Sequence, residues 1–256
     1  MWKNERHQRI SRILDDLGQV KTDHLVEELD VSRETIRRDL LEMERHGLLE
    51  RVHGGAVVTQ DREEPPLSIR QGLNVKEKIA IAKAASALIT HHKVVFFDAG
   101  STTLHLAQQL AGLRNLHVIT NFIDAAQSLH GHCEGSSRIT LLGGNLTRSG
   151  FATSGCQTIR EIGRITADLA FVSPAAIDLG KGALNADEEE ADIAAAMLAN
   201  SRQNVILANA AKLSARGNFG YCEFAQMDVL ITDASIRKQP GVEDRLRERV
   251  GSLIIA

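Results

Sequence analysis

Arginines and hydroxyl-bearing residues gather in one short stretch near the N-terminus. Ser32, Arg33, Thr35 and Arg37 fall within six residues of one another. Arginine offers two parallel donors that match the acceptor edge of guanine, and hydroxyl groups suit phosphate oxygens. If a helix begins at this point, these side chains occupy its first two turns. The spacing therefore predicts a surface that contacts double-stranded DNA.

A second polar cluster follows a short apolar run at 94–97. It consists of Gly100, Ser101, Thr102 and Thr103. A glycine permits close backbone approach, hydroxyl groups donate hydrogen bonds, and a helix N-terminus favours an anion. The segment does not match the GxxxxGK[ST] pattern of nucleotide hydrolases. We interpret it as a phosphate-binding turn, and the alternative is an ordinary capped turn between a strand and a helix.

The elements that would position the arginines are predicted from three apolar stripes at helical spacing. The stripes are Ile10, Ile13, Leu14 and Leu17, then Leu25, Val26 and Leu29, then Ile36, Leu40 and Met43. Thr22 and Ser32 are favourable N-cap residues for the second and third helices. Gly18 and Gly47 are expected to end the first and third helices.

Two short strands, 48–52 and 56–58, follow the third helix and flank a glycine turn. Three helices and a hairpin in this order predict a winged helix-turn-helix, whose third helix enters the major groove. The candidate DNA-binding residues are Thr22, Ser32, Arg33, Thr35, Arg37, Arg38, Arg51, His53, Gly54 and Gly55. The alternative is a charged, solvated helix in a winged domain that binds protein.

Net charge does not by itself indicate nucleic-acid binding. The chain has 30 Lys and Arg against 33 Asp and Glu, a formal net charge of −3. Acidic residues also outnumber basic ones in the first sixty positions. Because carboxylates repel phosphate groups, a DNA-binding domain of this composition requires its acidic residues to lie away from the DNA. These acids include Asp15, Asp16, Glu27, Glu28, Glu42 and Glu44. One copy alone should bind weakly, and we expect a homo-oligomer, a dimer or a tetramer, to add avidity.

Beyond a polar connection that contains Pro65 and Pro66, predicted strands and helices alternate. The predicted strands are 94–97, 117–120, 139–142, 169–172, 205–208, 229–232 and 253–255. Such alternation predicts a mainly parallel sheet with helices on both faces. The predicted organisation is a DNA-binding domain at 1–58, a linker at 59–75 and an α/β domain at 76–256.

Ligands of such sheets bind beyond the carboxyl ends of the strands. Asn121 and the pair Gly143 and Gly144 are expected at the same edge as the phosphate-binding turn, and Lys212 is expected to pair with a phosphate. The acidic run 187–190 is interpreted as a helix start, from which Glu188 or Glu189 would reach a sugar hydroxyl.

Metal sites are the alternative interpretation of two polar clusters. The acidic run 187–190 lacks the ligand spacing of a cation site. His130, His132 and Cys133 lack a second pair of zinc ligands. We therefore expect no metal and no cofactor.

The segment VSRETIRRDLLEMERHGLLERVHGGA, residues 31–56, resembles the DeoR family of bacterial regulators. The later motifs DAGSTT, TN, LLGG and LANAAK stand in that family's order. The resemblance implies a repressor of a carbohydrate or sugar-acid catabolic operon. It also implies a sensor domain similar to ribose-phosphate isomerases and CoA transferases, which binds a phosphorylated sugar or sugar acid. By motif position, the implied effector-binding residues are Asp98, Gly100, Ser101, Thr102, Thr103, Asn121, Gly143, Gly144 and Lys212, with Glu188 as a further candidate.

Two segments depart from the family pattern. Asn209 and Ala211 stand where the family usually has an aspartate and a serine before the lysine. The residues at 173–176 replace glycines that usually precede the ID pair. Asn209 removes a charge and Ala211 removes a hydroxyl group, so the effector is expected to differ from the usual ones or its binding to be weaker.

The remaining composition favours a cytoplasmic protein. The three cysteines are scattered, the charged N-terminus is not a signal peptide, and no apolar run is long enough to span a bilayer. The alternative function is a sugar-phosphate isomerase-like enzyme with an accessory DNA-binding head. Its acid and base groups would come from Asp98, Asp178, Glu188 or Lys212, which form no compact catalytic set in the sequence.

Overall fold

The computed structural model describes residues 2–57, 64–90, 93–110, 115–130 and 137–256. Contacts within it separate into two units, Met1–Asn74 and Val75–Ala256. The last residue of the predicted DNA-binding domain, Val58, lies outside the described residues. So do the first five residues of the predicted linker, 59–63, and the pair His132 and Cys133.

The first unit contains three helices and a small antiparallel sheet. They are α1 (Lys3–Leu17), β1 (Gln19–Lys21), α2 (Thr22–Leu29), α3 (Arg33–Arg45), β2 (Glu50–Val52) and β3 (Gly55–Val57). The strand order is β1-β3-β2. The buried core consists of Ile10, Leu14, Val20, Leu25, Leu29, Ile36, Leu40, Met43, Leu48, Leu49 and Ala56. The three apolar stripes thus meet in one core, and the predicted winged helix-turn-helix is confirmed.

Three local predictions for this unit are wrong. Thr22 is the first residue of α2, and its N-cap is Lys21, because Lys21 ends a strand that the sequence analysis does not predict. Leu17 is exposed, since α1 ends there and Gly18 turns the chain away in the left-handed region. Leu48 and Leu49 precede β2 and pack into the core.

The second half of the predicted linker packs with the first unit. A short helix, α4 (Leu67–Arg70), forms there, and Ile69 and Leu73 pack against the first unit's core. The side chain of Gln8 donates a hydrogen bond to the carbonyl of Gly72. These contacts order residues 64–74 as part of the first unit.

The second unit alternates strands with helices. Its helices are α5 (Val75–Ser86), α6 (Ser101–Gln109), α7 (Ile123–His130), α8 (Cys156–Ile162), α9 (Glu188–Ala199) and α10 (Val242–Arg247). Its strands are β4 (Val94–Phe97), β5 (His117–Thr120), β6 (Arg138–Leu141), β7 (Asn145–Leu146), β8 (Thr153–Ser154), β9 (Leu169–Val172), β10 (Ala176–Asp178), β11 (Gly182–Asn185), β12 (Asn204–Leu207), β13 (Phe219–Cys222), β14 (Val229–Thr232) and β15 (Leu253–Ile255). Short 3-10 turns lie at Ala210–Leu213, Phe224–Gln226 and Ala234–Lys238.

Seven of these strands form a parallel sheet in the order β15-β14-β12-β9-β4-β5-β6. The central strands β4 and β9 are continuous apolar runs that the packing buries almost completely. Both faces of such strands must be covered, which is why they lack the alternation of a half-exposed strand. The predicted α/β class is confirmed, and the observed strand bounds lie within one residue of the predicted ones.

The smaller sheets of the second unit are not predicted from the sequence. β10, β11 and β13 form an antiparallel sheet, and β7 pairs with β8. These strands have two to four residues, too few for a period to show. Ile79, an apolar residue of α5, is exposed. None of the helices in the described ranges combines the length and apolar composition that a bilayer crossing requires.

Candidate functional site

The first turn of α3 is held by a hydroxyl cap. Ser32 Oγ accepts a hydrogen bond from the backbone N of Thr35 at 3.1 Å and lies 2.8 Å from Thr35 Oγ1. The predicted N-cap is therefore confirmed. The inward stripe of the same helix, formed by Ile36 and Met43, is fully buried. Cap and stripe together set which face of α3 points to solvent.

The arginine face, formed by Arg33, Arg37 and Arg38, points to solvent. Their side chains are 68%, 71% and 78% exposed. Three exposed cations on the first two turns of a capped helix suit insertion into a DNA groove. The predicted outward position of these residues agrees with the structure.

Carboxylates accompany these arginines. Glu34 accepts hydrogen bonds from Arg37 Nε at 3.0 Å and from Arg38 Nε at 3.2 Å, and Arg33 pairs with Asp23. The hydrogen bond from Arg37, followed by the attraction of its charge and the bond from Arg38, lowers the pKa of Glu34. Glu34 and Asp23 are not among the residues predicted from the sequence to lie at this surface. The spacing of three and four residues on a helix is the signal that identifies Glu34.

The wing is the turn between β2 and β3, and its residues differ in exposure. His53 and Gly54 form an exposed turn, and Gly54 has a φ of 80°, in the left-handed region that favours glycine. The backbone N of Thr22 donates to the carbonyl of Gly54 at 2.8 Å, which ties the wing to α2. Gly55 is buried, and a Cβ there would lie 2.1 Å from the carbonyl oxygen of Val20. Gly55 is thus a packing residue, and its place in the DNA-binding surface stays a prediction.

Arg51, also predicted to bind DNA, lies next to the turn on β2. Its Nη1 lies 3.7 Å from Glu44 Oε2, and both side chains are partly exposed. Glu44 also accepts a hydrogen bond from the backbone N of Arg51. These two contacts orient the side chain of Arg51 toward Glu44, at the end of α3.

A buried ionic network joins α1 to α3, and sequence reasoning missed it. Asp39 accepts hydrogen bonds from Arg6 Nε at 2.6 Å and Arg6 Nη2 at 3.0 Å, and His7 Nε2 lies 3.1 Å from the same carboxylate. The side chains of Arg6 and Asp39 are only 12% and 4% exposed. The network fixes the rotation of α3 against α1, and with it the direction of the arginine face.

In the second unit, the carboxyl ends of the parallel strands bring polar residues to one edge of the sheet. We call this set the carboxyl-end rim: Asp98, Asn121, Gly143, Ser173, Asn209 and Asp233. The residues follow six strands, β4, β5, β6, β9, β12 and β14, that are neighbours in the sheet. The predicted effector residues on the first three of these strands are therefore brought together.

The turn from β4 to α6 lies in the middle of this rim. Ser101 and Thr102 are buried at the first turn of α6, and their hydroxyl groups have no hydrogen-bond partner among the described residues. Thr103 Oγ1 instead donates to the carbonyls of Asp98 and Gly100, at 2.7 and 2.8 Å. Thr103 therefore holds the turn together, and Ser101 and Thr102 are the hydroxyls available to a ligand.

The glycine of this turn packs against a residue that the sequence analysis named only as a departure from the family pattern. A Cβ on Gly100 would lie 3.0 Å from the Cβ of Ser173, at the end of β9. The two loops are thus in close contact, and Ser173 belongs to the same site.

Two amide oxygens of the rim are buried and accept no hydrogen bond from any residue that the structure describes. Asn121 donates from Nδ2 to the carbonyl of Thr153 at 3.0 Å, while its Oδ1 is unpaired among the described residues. Asn209 Oδ1 is likewise buried and, within the described part of the chain, accepts no hydrogen bond. A buried acceptor without a donor costs about 1–3 kcal/mol. Such atoms mark places where a donor group of a ligand can be bound.

The glycine pair after β6 packs against α8. Thr158 Oγ1 donates to the carbonyl of Gly143 at 2.7 Å, and the backbone N of Gly143 donates to Glu161 at 3.0 Å. At Gly144, φ is 150° and a Cβ would lie 2.1 Å from Thr158 Oγ1. These glycines shape the edge of the rim through close packing.

Gly144→Ala is expected to destabilise the second unit by about 2–4 kcal/mol, because the methyl group clashes and the backbone is strained. Thermal unfolding of the full chain measures the loss. Gly150→Ala is the matched control, since Gly150 has a φ of 75° but no described heavy atom within 4 Å of the place its methyl group would take. Its expected loss is about 1 kcal/mol. Equal unfolding midpoints for the two variants would contradict the packing argument.

The predicted residues Lys212 and Glu188 lie on other segments. Lys212 is half-buried in the 3-10 turn that follows β12. The first residue of this turn, Ala210, donates a hydrogen bond from its backbone N to the carboxylate of Asp233 at 2.7 Å. Glu188 lines a groove of about 620 Å³ with Lys181 and Asp192. Its neighbour Glu189 accepts a hydrogen bond from Ser154 Oγ at 2.5 Å. Of the two glutamates, Glu189 is therefore the one tied to the segment that contacts Asn121.

Asp233 is a rim residue that sequence reasoning missed. It is buried, and it accepts hydrogen bonds from the backbone N and the hydroxyl of Ser235 as well as from the turn after β12. It directly follows the buried strand β14, and a polar residue at the carboxyl end of a buried strand is the signal that would have identified it. Across the described ranges, no group of three or more His, Cys, Asp and Glu residues is arranged to hold a metal ion.

Both units match known families. Residues 6–62 match the DeoR-like helix-turn-helix domain, and residues 73–234 match the DeoR C terminal sensor domain. Together the two matches span most of the chain and follow the division into two units.

Characterised relatives are similar over nearly their whole length. The chain is 33% identical to the HTH-type transcriptional regulator GlpR of Haloferax volcanii, over 91% of this chain and 90% of that protein. It is 29% identical to the glycerol-3-phosphate regulon repressor of Escherichia coli, over 91% and 92%. Among solved structures, ribose 5-phosphate isomerase A of Methanocaldococcus jannaschii matches with a TM-score of 0.41 and 16% identity, over 55% of each chain.

Proposed function

The chain belongs to the DeoR family of DNA-binding transcriptional regulators, and from this premise we propose that it represses a carbohydrate or sugar-acid catabolic operon. Its affinity for operator DNA changes when a phosphorylated sugar or sugar acid binds to the carboxyl-end rim. The observation that carries the DNA-binding part is the outward presentation of the arginine face on the capped helix α3.

The rim supports an effector with two kinds of group. Ser101 and Thr102 stand at the first turn of α6, where backbone N–H groups and the helix dipole favour an anion such as phosphate. Asn121 Oδ1 and Asn209 Oδ1 require donors, which sugar hydroxyl groups supply. One phosphate and several hydroxyl groups on a small molecule satisfy both requirements.

The relatives are consistent with such a ligand. The relative from Escherichia coli is named as a repressor of the glycerol-3-phosphate regulon, which refers to a phosphorylated polyol. For this chain we propose only the same chemical class of effector, a small phosphorylated compound with several hydroxyl groups. Asn209 replaces the aspartate usual in the family and removes a negative charge from the rim, which favours an effector with more than one anionic group, such as a phosphorylated sugar acid.

A thermal-shift screen of the full chain against phosphorylated sugars and sugar acids tests the effector. Binding to the native state raises the unfolding midpoint. For the compound that gives the largest shift, Ser101→Ala/Thr102→Val is expected to weaken binding by about a hundredfold, because each lost hydrogen bond is to a charged group.

The matched control for that variant is Thr166→Ala. Thr166 is exposed and precedes β9, so it lies toward the opposite edge of the sheet. Its substitution should leave the dissociation constant within about twofold, since no contact with the effector is lost. A panel that produces no shift, or a shift that persists in the double variant, would reject the proposed effector site.

We further propose that the chain acts as a homo-oligomer in the cytoplasm, where it has access to the operator. Arginine pairing with Asp23 and Glu34 leaves each arginine face with little net charge, so several copies on one duplex would supply the affinity. The similarity to named regulators over about nine tenths of both chains favours this function over a sugar-phosphate isomerase.

A further inference from the structure

A glutamate stands within the arginine face itself. Glu34 is the second residue of α3, between Arg33 and Arg37 in the chain, and its side chain is 53% exposed. A carboxylate at this position would repel the phosphate groups of any duplex that α3 approaches. Its presence among residues assigned to DNA binding needs a physical reason.

We propose that Glu34 is a specificity-determining residue: it orients Arg37 and Arg38 toward base edges and weakens binding that depends on phosphate contacts alone. The inference rests on the proposed function and identifies which residue on the DNA-binding surface separates operator from other DNA. Glu34 acts through the two arginines and is in this sense a positioning residue.

The geometry of the pairs supports the orienting role. Glu34 binds both arginines through Nε, with Oε2 on Arg37 and Oε1 on Arg38. Within the described part of the chain, the terminal Nη groups of both residues make no hydrogen bond. A guanine is contacted by two parallel donors, and the Nη pair supplies them. A guanidinium that is bound to Glu34 only through Nε therefore keeps its two Nη groups available for a base edge.

The charges support the second role. Binding to DNA of any sequence depends on cations that neutralise phosphates. On this surface Glu34 and Asp23 offset part of the charge of the three arginines. Contacts with phosphate alone are thereby weakened, while contacts with base edges are kept, because the bidentate contact does not require release of the Nε bond. A repulsive group of this kind raises the ratio between correct and incorrect partners.

A merely structural role is not expected for Glu34. Exposed ion pairs on a helix contribute little to the free energy of unfolding. Substitution should therefore leave the thermal unfolding midpoint unchanged while DNA recognition changes. The two readouts separate positioning of the arginines from stabilisation of the helix.

The test uses full-length wild-type protein, Glu34→Gln and Glu27→Gln. Glu27 is the matched control, since it is exposed on α2 and makes no ion pair in the ranges the structure describes. A duplex motif is first selected by the wild-type protein from a random-sequence DNA pool. Dissociation constants are then measured for the selected duplex and for a shuffled duplex at several salt concentrations.

For Glu34→Gln, the ratio of the two dissociation constants is expected to fall by about tenfold, mainly because the shuffled duplex binds more tightly. For Glu27→Gln, the ratio should stay within about twofold of wild type, since the same charge is lost without touching an arginine. A ratio for Glu34→Gln that stays within about twofold, that rises, or that falls no more than the Glu27→Gln ratio overturns the inference alone. If the wild-type protein selects no motif, the proposed function and the inference both fail.

Discussion

Replacing Arg37 by alanine is expected to abolish operator binding at concentrations that saturate the wild-type protein, a loss of about a hundredfold or more. Arg37 lies on the second turn of α3, and its side chain is 71% exposed. Each bidentate contact with a base contributes about 1–3 kcal/mol, and an oligomer that places two copies of α3 on DNA loses it twice.

Fluorescence anisotropy with a duplex selected by the wild-type protein measures this loss. Arg45→Ala is the control, because Arg45 is an exposed arginine on the last turn of the same helix. It should change the affinity by less than about fivefold, as expected for one distant charge. Circular dichroism and thermal unfolding should show both variants folded, because exposed side chains contribute little to stability. Undiminished binding by Arg37→Ala would reject its assignment to the DNA-binding surface.

Replacing Asp39 by alanine is expected to have the largest effect on the stability of the first unit. The substitution leaves the Arg6 guanidinium, only 12% exposed, without its carboxylate. Removing one partner of a buried ion pair costs about 3–5 kcal/mol, because the other charge stays buried and loses the carboxylate that offset it. Rotation of α3 would then be less restricted, and operator binding should weaken as well.

Hydrogen exchange of the native full-length chain measures this effect locally. The opening free energy at the amides of Ile36 and Leu40 should fall by about 3 kcal/mol, while amides of β4 serve as the internal reference. Arg6→Met/Asp39→Leu removes both charges and is expected to recover much of the loss. Glu28→Ala, an exposed acid on α2, should change the opening free energy by less than about 0.5 kcal/mol. An Asp39→Ala variant that behaves like Glu28→Ala would contradict the stabilising role of the network.

Features that depend on neighbours within one or two turns of chain were predictable from the sequence. The cap at Ser32 and the buried stripe of α3 follow from residue types at fixed spacing. The same holds for the strands of the parallel sheet, which are short apolar runs bounded by polar or glycine residues. Family motifs then placed the rim residues Asp98, Asn121 and Gly143 in order along these elements.

Local patterns also misled in identifiable ways. Thr22 has the chemistry of an N-cap, but pairing of β1 with the distant β3 moves the cap position to Lys21. Gly55 has the pattern of a residue in the wing turn, yet its lack of a side chain is needed for contact with the backbone of Val20. In both cases a partner more than thirty residues away decides the role of the residue.

The amino-acid sequence by itself determined the helices of the first unit, the strands of the parallel sheet, the outward arginines of α3 and the family of the chain, because helical period, capping and motif order are properties of adjacent residues. Only the tertiary structure decided that Asp39 is bound to Arg6, and that Asn121 and Asn209 have unpaired oxygens, among the described residues, at one edge of the sheet. The physical reason is that burial and hydrogen-bond satisfaction depend on which distant segments the packing brings together.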